Sequence, residues 1–345
     1  MDDEQLLDPP GERFSQAMSG LGAGRTLDAA ALHDLAASCP PREAFGPDSE
    51  RPFVALELAG ARADLAAWLG QLPCPVIGVG AGPLAAACDV VLDDARPLPR
   101  LAVNIAAAPL AAMVLVQLLR LGEELTEPAA LVAESLAYAA VQAGPEFRRW
   151  QACRPARAVA LVDDGPPLSA AREGGRLTLT MNRPARFNAI GVDLRDALAE
   201  AFDLALLDAD IVEIELSGLG RCFSVGGDVD EFGLASDPAT AHWIRTLRLP
   251  AARLPRLRQK LTARPHGATI GAGVEIAAFA GRVVARPDAW FQLPELKYGL
   301  IPGAGGTVSL PRRIGRQRTA FMALSMRRVA AQEALAWGLV DSIER

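Results

Sequence analysis

The chain has 345 residues, half of them hydrophobic, with 35 Lys and Arg against 41 Asp and Glu and a net charge of −6. That length suits two domains of ordinary size, and that apolar content can bury a sizeable core. The acidic balance argues against a general nucleic-acid role, because phosphate binding draws on Lys and Arg. The five cysteines (Cys39, Cys74, Cys88, Cys153, Cys222) are scattered without a CxxC pair, and the three His show no HxH or HxxxH spacing. Reduced thiols in a cytoplasmic protein, with no metal site, are the expectation.

The first residues, MDDEQLLDPPGERF, are acidic and lack an apolar stretch, so no signal peptide is expected there. Residues 1–50 read as an N-terminal extension, punctuated by Pro9-Pro10 and Pro40-Pro41, with a helix at 27–38. A strand follows at 53–58 and an amphipathic helix at 61–72. Then comes LPCPVIGVGAGPLAAACDVVLDD, residues 72–94. The stretch 101–119, LAVNIAAAPLAAMVLVQLL, is uncharged and nearly long enough to span a bilayer. Pro109 interrupts it and Asn104 and Gln117 are polar, so a buried helix in a soluble protein, with no membrane partner, is expected.

Residues 97–150 read as helices. Leu131, Ser135, Leu136, Tyr138 and Ala139 recur at helical steps and are expected to face a core. Residues 153–172 carry Asp163-Asp164-Gly165-Pro166-Pro167 and read as the linker between an N-terminal half, 51–152, and a C-terminal domain, 173–345.

The second half opens on a strand at 176–181, where Leu177, Leu179 and Met181 alternate with Thr178 and Thr180. A helix at 193–207 places Leu194, Leu198, Phe202 and Leu206 on one face. A strand at 211–216 leads into GRCFSVGGDVDEF. The stretch 242–260 reads as a basic helix carrying Arg245, Arg248, Arg253, Arg256, Arg258 and Lys260. It is either a solvated face or an aid in holding phosphates.

The chain centres on 266–307, HGATIGAGVEIAAFAGRVVARPDAWFQLPELKYGLIPGAGGT. Glycine and alanine let backbone N–H groups approach a ligand closely, and a helix start has N–H groups without intrahelical partners. Such donors can hold an oxyanion, and a carboxyl beside them can move a proton. Glu275 and Glu295 are the two candidate acids. Strands are expected at RVVA and AWFQL, and a glycine loop, IPGAGGT, opens a further helix. That loop has no P-loop lysine, so a phosphate cradle is not expected.

GAGVE, LPELKYGLIPGAGGT and the earlier RCFSVGGDVDEF, blocks that recur in family order from about residue 172 onward, resemble the signature blocks of the crotonase (enoyl-CoA hydratase/isomerase) superfamily. NRPARFNAI, residues 182–190, and VAAQEALAWGLVDSI resemble two further blocks. The resemblance implies an α/β fold: a crotonase-like ββα spiral core in the C-terminal half, joined to an N-terminal α/β region that ends in helices. Residues 75–82 and 88–92 resemble two strands of the same fold with the glycine–acid segment between them reduced. Set against 269–284, the segment 76–91 shares one Ile, two Gly, two Ala and a final Val-Val, which puts Gly82 opposite Glu275. A generic Ala-rich α/β piece is the alternative. Typical members continue with a helical segment that covers the acyl pocket and builds a trimer. Here 97–150 are expected to take its place.

The resemblance also implies roles. Gly227 and Ala272 would supply the two amides that bind a thioester oxygen. Glu295 would give a proton to the α-carbon of a 2-enoyl-CoA, and Glu275 would activate the water that attacks its β-carbon. Arg186, Phe187, Ala189, Val225, Asp228 and Val229 would contact substrate or CoA, with Asp228 bracing the oxyanion loop. Arg186 alternatively is a solvated charge, and either Glu could merely form an ion pair, with Lys297 or Arg282 for instance. His266 reads as a loop hydrogen-bonder, and Trp290, Phe291 and Tyr298 as core or acyl-pocket residues. The implied function is enoyl-CoA hydratase, a lyase of fatty acid metabolism, with no cofactor beyond the CoA of the substrate. A homo-oligomer, trimer or dimer, is the implied assembly. The competing readings are an isomerase, a cofactor-free aryl-acetyl-CoA oxygenase, and a non-catalytic paralogue that binds partners.

Overall fold

The computed structural model of the protein describes residues 26–154 and 163–344. Residues 1–25 of the expected extension and 155–162 of the expected linker lie outside the described residues. The chain divides into two compact units, Met1–Val116 and Gln117–Arg345. The helices at 127–153, grouped with the N-terminal half in the sequence reading, thus fall in the second unit.

In the first unit the helix Ala29–Ala37 starts at Asp28, whose Oδ1 accepts from the Ala31 N–H at 2.8 Å. This is an ordinary N-cap, satisfying one of the orphan donors of the first turn. Strands β1 (Val54–Glu57), β2 (Val76–Val79) and β3 (Val90–Leu92) form a parallel sheet in the order β1-β2-β3. Leu32, Leu56, Leu58, Leu69, Val76 and Leu84 pack as its core. A Cβ at Gly82 would lie 2.0 Å from the Leu58 carbonyl oxygen, so only glycine fits there.

The apolar stretch 101–119 is not one helix. It breaks at Ala108 into Leu98–Ala107 and Pro109–Gly122, bent by 109°. Among the described residues no single helix is long and apolar enough to cross a membrane.

The second unit contains β4 (Leu168–Glu173), β5 (Arg176–Met181), β6 (Glu213–Gly218), β7 (Leu261–Ala263), β8 (Ala268–Ile270), β9 (Arg282–Ala285), β10 (Trp290–Gln292), β11 (Val329–Ala330) and β12 (Ser342–Ile343). The larger sheet runs β12-β9-β7-β6-β5-β4, parallel except for the β4–β5 hairpin. The smaller sheet runs β11-β10-β8. Along β5 the inward side chains Leu177, Leu179 and Met181 are buried, as the alternation predicts. The helix Val192–Leu207 buries Leu194, Leu198, Ala199, Phe202 and Ala205.

Two expectations need correction. The basic stretch 242–260 is not one helix. It is helical over Pro238–Arg248 and then breaks into short turns from Pro250 onward. A proline disfavours helical backbone at the residue before it, here Leu249. The pairing of 76–91 with 269–284 also fails by topology. β2 is flanked by β1 and β3, as β7 is by β6 and β9, whereas β8 pairs with β10 in the other sheet. Strand order therefore does not set Gly82 opposite Glu275. In the first unit β2 is joined to β3 through the short turn Ala85–Ala87.

Candidate active site

Two loops converge beside the end of β8. Ser224 bridges to Thr269, and the Ile270 N–H donates to the Ser224 carbonyl at 2.9 Å. The Ser224 hydroxyl donates to the Asn188 carbonyl at 2.7 Å, and the Ile190 N–H donates to Gly226 at 2.7 Å. Asn188 pins this crossing from below: its Nδ2 donates to the Leu219 and Cys222 carbonyls, both at 2.9 Å. These bonds set the loop that ends in Gly227 against the start of the helix Ala272–Ala277.

Gly227 and Ala272 face one cavity of about 340 Å³, which Glu275 and Glu295 also line. Among the described residues, neither the Gly227 nor the Ala272 N–H has a hydrogen-bond acceptor. At Ala272 this follows from its place at the first position of a helix, where no carbonyl lies behind it. Gly271, just before, has φ +50°, and a Cβ there would sit 2.6 Å from Glu295 Oε1. The glycine is thus needed twice, for its backbone angle and for the approach of a carboxyl.

The two carboxyls are held differently. Glu275 is buried, and its Oε2 accepts from the Ala304 N–H at 2.6 Å and the Gly306 N–H at 2.7 Å. Its Oε1 accepts from no described residue. Burial, with the Glu295 and Glu134 carboxyls nearby, pushes Glu275 well above the ordinary carboxylate range. Glu295 sits at the start of the short turn Glu295–Tyr298, and its Oε2 is enclosed with no hydrogen-bond partner. Burial pushes Glu295 up to about 8, against the opposing hydrogen bond from its own backbone N–H and the Lys297 charge. Two such carboxyls beside one cavity favour a shared proton over a double charge. The amide donors make Glu275 the better seat for the negative charge, and Glu295 the better seat for the proton.

A third carboxyl, not anticipated from the sequence, completes the loop. Glu134, on the helix Glu127–Gln142, is fully buried. It accepts from the Gly305 N–H at 2.7 Å, the Thr307 N–H at 2.9 Å and the Thr307 hydroxyl at 2.7 Å. Burial raises its pKa, opposed by the Thr307 hydrogen bond and the Arg245 guanidinium. Tyr138 and Gln142 of the same helix line the cavity. The helix's buried face is Ala130, Glu134, Ser135, Tyr138, Ala139 and Val141, while Leu136, expected to face the core, is exposed. A glutamate four residues before a tyrosine, within an Ala-rich helix, was the available signal.

The remaining candidates lie at varied places. Asp228 lines the cavity, and its Oδ1 accepts from the Asp230 N–H at 3.0 Å, a bracing contact. Arg186 faces three carboxylates, Asp163 at 3.2 Å, Asp193 at 3.2 Å and Asp228 at 3.7 Å. It is thus neither free in solvent nor part of the cavity lining. Phe187 is exposed, in a left-handed conformation, with the Arg221 guanidinium over its ring. Ala189 is buried, Val225 donates its N–H to Phe187, and the Val229 carbonyl accepts from Arg154 at 2.6 Å. Phe187, Ala189, Val225 and Val229 lie outside the cavity lining.

His266 Nε2 meets the Gly220 carbonyl at 3.0 Å, a loop contact. Phe291 is in the core, and Tyr298 stacks edge-on against Trp150 and Phe232. In the basic stretch, Arg253 pairs with Asp203, Arg258 with Glu127, and Lys260 donates to the Ile211 carbonyl. Among the described residues no cluster of His, Cys, Asp and Glu is arranged to hold a metal ion.

Residues 172–344 match the family model described as enoyl-CoA hydratase/isomerase. The chain is 36% identical over 176 residues to 2,3-dehydroadipyl-CoA hydratase of Escherichia coli K12, which covers 51% of this chain and 68% of that protein. It is 34% identical over 174 residues to 1,2-epoxyphenylacetyl-CoA isomerase of the same organism, covering 49% of this chain and 66% of that protein. A solved enoyl-CoA hydratase from Thermoplasma volcanium GSS1 is 32% identical, with a TM-score of 0.47, over 52% of this chain and 72% of that one. The chain thus spans about two thirds of the length of these curated relatives.

Proposed function

Because the chain belongs to the enoyl-CoA hydratase/isomerase family, we propose that it acts on acyl-CoA thioesters and adds water across the double bond of a 2-enoyl-CoA. The observation that carries this reading is the meeting, at one cavity, of two acceptor-free amides and two carboxyls with raised pKa values.

In the proposed reaction the thioester oxygen sits between the Gly227 and Ala272 N–H groups. As water attacks, negative charge moves from the alkene onto that oxygen. Fixed donors stabilise the enolate more than the starting thioester, by roughly 2.7–4 kcal/mol each. Water binds at Glu275 Oε1, the oxygen with no donor of its own, while the Ala304 and Gly306 amides hold Oε2 and steady the ionised form. The water oxygen bonds to the β-carbon and its proton passes to Glu275. Glu295 gives its proton to the α-carbon, and the enolate electrons return to form the C–H bond. Proton exchange with solvent resets the pair. General acid and base transfer of this kind supplies about 10²–10⁴-fold each. No further cofactor is required by this scheme.

A carboxyl such as Glu295, with one oxygen enclosed and unpartnered, is costly to keep. A chain that only bound partners would gain nothing from it, which supports a catalytic role. The test is product analysis with crotonyl-CoA and, separately, a 3-enoyl-CoA. Formation of 3-hydroxybutyryl-CoA is the expected outcome. Double-bond migration without hydration would assign an isomerase instead.

A further inference from the structure

One wall of the cavity carries a cation that this reaction does not use. Arg245, on the helix Pro238–Arg248, lines the cavity and lies over the Tyr138 ring at 4.1 Å. Its Nη2 donates to the Gly303 carbonyl. Its Nε is enclosed with no acceptor, and Nη1 has none among the described residues. Glu134 feels its charge, but among the described residues no hydrogen bond joins the two. Around it the wall is apolar, with Ile244, Leu249, Pro250 and Ile276. Arg195, also in the lining, is spent on Asp196 at 2.9 Å. A guanidinium with a donor left open to a cavity is a candidate partner for an anionic group of the ligand.

Its place limits what that ligand can be. Gly303 adjoins Ala304, whose amide binds Glu275, so Arg245 stands at the reacting end of the cavity. The acyl group reaches there, whereas the phosphates of CoA belong at the other end of the thioester. We propose that Arg245 determines acyl specificity, and that the preferred substrate carries a carboxylate at the far end of its acyl chain. With Nη2 on Gly303 and Nε enclosed, Nη1 is the donor that a carboxylate can reach, and such a charge-assisted bond is about twice as strong as a neutral one. This inference rests on the acyl-CoA reading of the site, but not on hydration.

Calorimetry on the full chain tests it with saturated thioesters, which bind without reacting. Adipoyl-CoA should bind at least about tenfold more tightly than hexanoyl-CoA, the factor expected for one hydrogen bond to a charged group. Arg245→Met should abolish that preference and leave the affinity for free CoA unchanged. Arg245→Lys, which keeps the charge, should retain part of the preference and guards against a folding artefact. Equal binding of the two thioesters to the native chain would overturn the proposal. So would an equal loss for all three ligands in Arg245→Met, which would mean that Arg245 serves CoA or the loop. The methyl ester of adipoyl-CoA binding as tightly as the acid would overturn the carboxylate assignment. If none of the ligands binds, the acyl-CoA reading falls and this inference with it. Hydration of crotonyl-CoA without any carboxylate preference would leave the hydratase reading standing alone.

Discussion

Glu134 and Glu275 grip the same turn in alternation: Ala304 and Gly306 donate to Glu275, while Gly305 and Thr307 donate to Glu134. Four successive amides of a glycine loop are thereby fixed by two buried carboxyls from distant parts of the sequence. The loop in turn fixes Oε2 of Glu275 and leaves its Oε1 toward the cavity.

Glu134 is therefore a positioning residue. In Glu134→Gln one carboxylate oxygen becomes an NH₂ group that faces backbone donors, leaving a buried amide unsatisfied at a cost of about 1–3 kcal/mol. Chemical denaturation should show that loss. Removing the negative charge should also lower the Glu275 pKa, since Glu134 raises it. The acidic limb of the kcat/KM profile should then move to lower pH, a change that loosened packing alone would not produce. Glu295, the other carboxyl that raises Glu275, remains in the variant, as do Arg195, Asp228, Glu231 and Arg245 of the cavity lining.

Ala272→Pro removes one amide proton at a position where proline is otherwise tolerated, the first residue of a helix. We expect kcat to fall by about 10²–10³-fold, with thermal unfolding little changed. A variant with full activity would show that the Ala272 N–H does not hold the thioester oxygen.

The Glu295 pKa of about 8 sets an upper limit on pH. As the proposed acid it works protonated, so activity should persist below about 8 and decline as pH rises through it. Stability has the same sign. A carboxyl raised in the folded state favours folding fully below its ordinary pKa, and that contribution is lost as pH rises through the folded value. Glu295→Gln should flatten the fall in stability between the ordinary carboxylate pKa and about pH 8, as followed by thermal melts.

Gly299 tests the packing of the helix Pro145–Cys153 on the Glu295–Tyr298 turn. It has φ +68°, and a Cβ would lie 2.6 Å from Glu146 Cβ and 2.7 Å from Phe147 N. Gly299→Ala should cost more than about 1 kcal/mol from the backbone angle alone. Urea denaturation should register this loss. An unchanged midpoint would mean that the helix does not bear on the turn.

Much of this site was legible because its signal is local. GAGVE placed an amide and an acid within one short helix, and LPELKYG placed a second acid on a turn. Gly227 followed from VGGD. What sequence could not show was anything set by long-range pairing. Glu134 lies over 170 positions from Gly305, and nothing in an Ala-rich helix says which loop its one buried glutamate will meet. Arg245 was visible as one of six basic residues, but only packing against Tyr138 separates it from Arg253 and Arg258, which are neutralised by Asp203 and Glu127. The mispairing of 76–91 with 269–284 had a similar cause. Ala- and Gly-rich segments match each other easily, and only sheet order shows that β2 and β8 occupy different places, one between β1 and β3 and the other at the edge beside β10.

The central claim is tested most directly by running the reaction with crotonyl-CoA in D₂O, for the native chain, Glu275→Gln and Glu295→Gln, and reading the product by mass spectrometry. The account predicts 3-hydroxybutyryl-CoA with one deuterium at the α-carbon for the native chain, and rates lower by about 10²–10⁴-fold in each variant. Unchanged rates in either variant, or a native chain that binds crotonyl-CoA without converting it, would contradict the assignment of these two carboxyls as the acid and base of a hydration.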